Sequence, residues 1–157
     1  MATSLGSPSG VREILSLPDT FDARLGQPLL TANRVLRRQM ISTANYASAL
    51  AGTFAADVNT ENVDACHRAA NLIAAADFCR NNVAVLTDRG MATSVARIGS
   101  SGGGESFSTA ADVLKAASAY IDRAVSDLRS VGLYVESALY FTVADIFDED
   151  EDAEALA

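Results

Sequence analysis

The chain has 157 residues, enough for one domain with a core of its own. Apolar residues make up 49% of it, but there is no Trp, only 6% is aromatic, and much of the apolar share is Ala. The net charge of −8 is unevenly placed: seven of the twenty acidic residues lie between Asp145 and Glu154 and none of the twelve basic ones does, so the first 144 residues are close to neutral and repel neither nucleic acid nor a membrane surface.

Arg or Asp interrupts every apolar run before it reaches the length of a membrane span. The first ten residues lack the basic start and apolar centre of a secretory leader. These features predict a protein of the cytoplasm, or of a particle assembled there, with no membrane partner.

In chain order, residues 1–10 are small and polar with Gly and Pro, and they read as a flexible arm. Residues 11–17 suit two turns of helix, stopped by Pro18. A connector follows, in which Phe21 and Leu25 are the candidates for burial. Pro28 suits the first position of a helix, since its missing N–H costs nothing there. That helix is expected to run to about Asp57, with Leu29, Leu36, Met40, Ala44, Ala47, Leu50, Phe54 and Val58 on its apolar face. Arg34, Arg37 and Arg38 fall together near its start.

Thr60 is a candidate cap for the next helix, with Glu61 and Asp64 at its positive end. This helix is expected to reach about Thr87 and to stop at Gly90. Two long helices joined by so short a turn imply an antiparallel hairpin. Residues 99–106 are a Gly/Ser linker by composition.

Residues 107–147 read as one amphipathic helix. Leu114, Ala117, Ile121, Ala124, Leu128, Val131, Val135 and Ala138 recur at steps of three and four, the seam spacing of packed helices. Thr109 and Asp112 form a T-x-x-D start signal. About forty residues would make a rod of roughly 60 Å, longer than a domain of this size needs, with Gly132 as its weak point. The fold class expected is all-α: an up-down bundle of three long helices and a short N-terminal one, built around this overlong last helix. Its parts are an arm with a short helix (1–27), the bundle (28–147) and an acidic tail (148–157).

Few residues carry recognisable chemistry. Residues 99–103 match G-x-S-x-G, but the only His, His67, precedes them, and a nucleophile elbow needs one later. Asp64, His67 and Asn71 share a helix face, yet one D-x-x-H is not the repeated E-x-x-H of a two-metal bundle. Asp148, Asp150 and Asp152 begin like a calcium loop, but Ala153 stands where that loop needs Gly. Cys66 and Cys79 lie on one helix about 20 Å apart, beyond the roughly 7 Å between Cα atoms that a disulfide allows. They read as small apolar residues. No cofactor, metal or small-molecule substrate is expected.

Three candidate contact surfaces remain. Arg34, Arg37 and Arg38 form the densest basic patch, suited to phosphates or carboxylates. Asp148, Glu149, Asp150, Glu151 and Asp152 form an acidic stretch that could meet such a patch on a neighbour. Tyr134, Tyr140, Phe141 and Phe147 cluster late in the last helix and suit burial or a contact between subunits. Together these features predict a non-enzymatic structural subunit that assembles with copies of itself into a filament, tube or shell, such as a viral coat or tail component, with nucleic acid as a further candidate partner. The alternative is a small helical binding module, a monomer or dimer holding an apolar ligand or a partner helix.

Overall fold

The computed structural model describes residues 4–54, 59–82 and 110–135. All regular structure among them is helical. Helix α1 (Pro8–Leu15) begins earlier than its apolar pattern predicts. Ser7 caps it, its Oγ accepting the Gly10 N–H at 3.1 Å, and Pro8 takes the first helical position. The helix closes on Ser16, whose φ of 55° is left-handed.

After Pro18 a short 3-10 helix (Asp19–Arg24) lays Phe21 edge-on to Phe78, with ring centroids 6.1 Å apart. Leu25 is fully buried and Phe21 partly, as the connector pattern predicts.

Helix α2 (Gly26–Val35) does not run on to residue 57 as expected. It widens into a single π turn (Leu36–Met40), and Ile41 is extended at φ −130° and ψ 161°. Ser42 then starts helix α3 (Thr43–Ala51), its Oγ accepting the Asn45 N–H at 3.1 Å. The break rotates the predicted apolar face: Ala44 and Ala47 are exposed, while Ala49 is buried. Ser42 is a capping signal that the helical periodicity masked.

Helix α4 (Asn59–Asn81) is the centre of the molecule. Thr60 lies inside it rather than before it. Every residue from 72 to 79 is buried, and α1, α2, α3 and the later helix over Ala110–Ser130 (α5) all pack on it. Over residues 72–79 the helix is covered on every side, and small side chains there and before it let its neighbours approach closely. Ala65, Ala69, Ala70, Ala74, Ala75 and Ala76 supply them, with Cys66 and Cys79 as buried free thiols. The last helix was expected to hold this central place; among the described residues α4 holds it.

Helix α5 (Ala110–Ser130) spans about 30 Å, half the expected rod. It ends in a Schellman motif: Gly132 N–H donates to Arg129 C=O at 3.0 Å and Leu133 N–H to Leu128 C=O at 2.9 Å. Gly132 is left-handed at φ 73°, and Leu133 and Leu128 are both buried beside the turn. Val135 N–H then donates to Met40 C=O at 2.8 Å, closing a carbonyl that the π turn leaves open. The seam of α5 runs through Val113, Ala117, Tyr120, Ile121, Ala124 and Leu128, so Leu114 falls outside it. The predicted continuation over 136–147, Thr109, the glycine loop, the Gly90 stop and the acidic tail lie outside the described residues. No helix among the described residues is long and apolar enough to cross a membrane.

Candidate arm-docking site

The densest polar network surrounds residues 5–7. The sequence predicts a flexible arm there, but Leu5 is fully buried and joins the same core as α2, α4 and α5. Three successive backbone N–H groups are each taken by a different side chain. Leu5 N–H donates to Asn33 Oδ1 at 2.7 Å, Gly6 N–H to His67 Nδ1 at 3.0 Å, and Ser7 N–H to Asn71 Oδ1 at 2.8 Å. An arm held by its own backbone has little freedom left, and this overturns the composition-based expectation.

Asn33 is buried on α2, and its amide makes four hydrogen bonds. Nδ2 donates to Leu5 C=O at 3.0 Å and to Leu29 C=O at 2.7 Å. Oδ1 accepts from Tyr46 Oη at 2.8 Å as well as from Leu5. Because a backbone N–H must donate and a carbonyl must accept, the orientation of this amide is unambiguous. Its full hydrogen-bonding capacity is used, which is what burial of an amide requires. Burial pushes the Tyr46 phenol up, with the Arg37 charge acting in the opposite direction.

His67 and Asn71 stand four residues apart on α4, so they meet consecutive peptide groups of the arm. The shared face expected of Asp64, His67 and Asn71 holds for the last two, while Asp64 is exposed. His67 Nδ1 accepts the Gly6 N–H through its ring lone pair. Two glycines permit the close approach. Gly6 has φ 81°, and a Cβ there would lie 2.7 Å from Asn71 Oδ1 and 3.0 Å from Leu29 Cδ2. A Cβ on Gly10 would collide with the Asn71 amide.

Sequence reasoning missed Asn33 altogether. The available signal is its place in the apolar stripe between Leu29 and Leu36, since a polar residue on a buried face needs a partner.

The predicted basic patch is divided by burial. Arg34 is half-buried on α2, and Arg37 and Arg38 are exposed on the π turn. Its proposed counterpart, residues 148–152, lies outside the described residues. Burial pushes the Cys66 thiol up to about 11, so at neutral pH it is protonated and a poor nucleophile. Among the described residues no group of three or more His, Cys, Asp or Glu side chains comes together to hold a metal. In comparisons with family models, characterised proteins and solved structures, the chain matches none.

Proposed function

We propose that this chain is a non-enzymatic structural subunit, an up-down bundle that packs against copies of itself in a filament, tube or shell such as a viral coat or tail. The observation that carries this reading is the exposure of two leucines. Leu30 on α2 is 62% exposed and Leu114 on α5 is 49% exposed, while the other large apolar side chains of both helices are buried. Each lies off the buried face of its own helix. Covering the part of such a leucine that is still exposed gains about 1 to 2 kcal/mol, and a neighbouring copy would supply the cover. In this reading Arg37 and Arg38 face either enclosed nucleic acid or the acidic stretch 148–152 of a neighbour.

The test is the light-scattering mass over a wide concentration range, for the native chain and for Leu30→Ser and Leu114→Ser. The expected result is a mass well above 16.4 kDa that grows with concentration and falls in both variants. A stable monomer at every concentration overturns the reading, and a co-purified apolar ligand on that monomer would make the chain a binding module.

A further inference from the structure

Nearly everything that holds residues 5–15 lies beyond one short connector, residues 16–18. Asn33 is on α2, His67 and Asn71 are on α4, and α1 itself packs on α4. Arg12 also pairs across the connector with Asp22. We propose that two copies of this chain exchange residues 4–15, each arm docking on the Asn33, His67 and Asn71 site of the other, with residues 16–18 as the hinge. The proposal rests on the self-assembly reading and deepens it by naming a contact between copies.

Three observations carry it. First, the site recognises backbone N–H groups and one buried leucine, so an arm from a second copy meets the same partners at the same distances. Exchange of an identical element costs little beyond association itself. Second, Ser16 is the one non-glycine residue with a positive φ among the described residues, at 55°. The intramolecular route holds it in a left-handed conformation that an L residue disfavours, offset by the cap bonds of the Ser16 and Leu17 N–H groups to Arg12 C=O, and an extended hinge releases the first and gives up the second. Third, Pro18 already restricts Leu17 to extended backbone. A change at Ser16 alone therefore redirects the arm.

The Arg12–Asp22 pair supplies the experiment, because its side chains are only partly buried, at 26% and 46% exposed, and tolerate substitution. One copy carries Arg12→Asp, a second carries Asp22→Arg, and each has its own affinity tag. Each variant alone places like charges against each other. An exchanged pair of the two variants places opposite charges at both contacts. After equal amounts of the copies are mixed in mild denaturant and returned to buffer, the ratio of mixed to like pairs is expected to rise from the statistical one-to-one to roughly ten-to-one. Ser16→Gly, which tolerates the left-handed turn, is expected to lower the paired fraction roughly fivefold, and Ser16→Val to raise it by a similar factor.

A statistical mixture, with no response to either Ser16 variant, overturns the exchange. If that chain still gains mass with concentration, the self-assembly reading survives alone. Exchanged pairs that gain no further mass overturn the assembly reading and leave the exchange standing. Monomers throughout overturn both.

Discussion

At Asn33 a single amide joins three parts of the chain: the arm, α2 and, through Tyr46, α3. Asn33→Leu fits the apolar surroundings but leaves the Leu5 N–H and C=O and the Tyr46 hydroxyl without this partner. The expected loss is about 3 kcal/mol in urea unfolding, because each buried group left unpaired costs about 1 to 3 kcal/mol and such losses do not add fully. Tyr46→Phe removes one bond and should cost about 1 kcal/mol. A smaller loss for Asn33→Leu than for Tyr46→Phe would refute this account of the site. Cys66 gives a pH prediction of definite sign. Its folded value is raised to about 11 from an ordinary 9.0, so burial stabilises the fold at lower pH. As pH rises past 9 the unfolded thiol ionises and the folded one does not, and stability falls until the pH passes 11. The total loss is about 2 to 3 kcal/mol at roughly 1.4 kcal/mol per pH unit, and Cys66→Ala should remove that part of the slope in unfolding curves taken at each pH.

Helix ends are the features that local sequence specifies least reliably, and this chain shows why. The periodicity that marks residues 107–147 as one helix continues through Gly132, yet α5 stops at Ser130. A glycine in a helical pattern can be tolerated or can act as a left-handed cap, and the choice depends on what Leu133 can bury beside Leu128. The same holds at Ile41, where an apolar stripe continued across a break that Ser42 caps. Gly132 and Gly6 separate two kinds of glycine. Both have positive φ, but a Cβ on Gly132 meets open space, while one on Gly6 strikes Asn71 and Leu29. Gly132→Ala should therefore cost about 1 kcal/mol, from backbone strain alone. Gly6→Ala should cost more and should also free the arm, seen as faster hydrogen exchange at Leu5, Gly6 and Ser7. Equal costs with no change in exchange would contradict the docked arm.

At the scale of the described molecule, the centre is α4 rather than α5, and the reason is size. Six buried Ala and two buried Cys on α4 let four elements close around one axis, whereas the larger side chains of α5 are confined to one stripe. The exposed remainder sets what the molecule can meet. Replacing Arg34, Arg37 and Arg38 together with Ala should block assembly or remove bound nucleic acid, read by light-scattering mass and by the ultraviolet absorbance ratio. If both stay unchanged, the patch has no role in either contact. Arg37 and Arg38 should account for most of the effect, since Arg34 is half-buried.

From sequence alone, the helical class, the weak point at Gly132, the burial of Leu25 and the isolation of the two thiols were open to inference. Each follows from propensity or from spacing within one element, and such effects act over a few residues. The anchored arm, the division of the 28–57 helix and the central place of α4 were decided by tertiary structure. They depend on groups far apart in the chain: Leu5 meets Asn33 across 28 positions, and Gly6 meets His67 across 61. A small polar segment has no local reason to be ordered. It becomes ordered when distant side chains satisfy its backbone and a distant core accepts its one leucine, and only the folded chain brings those together.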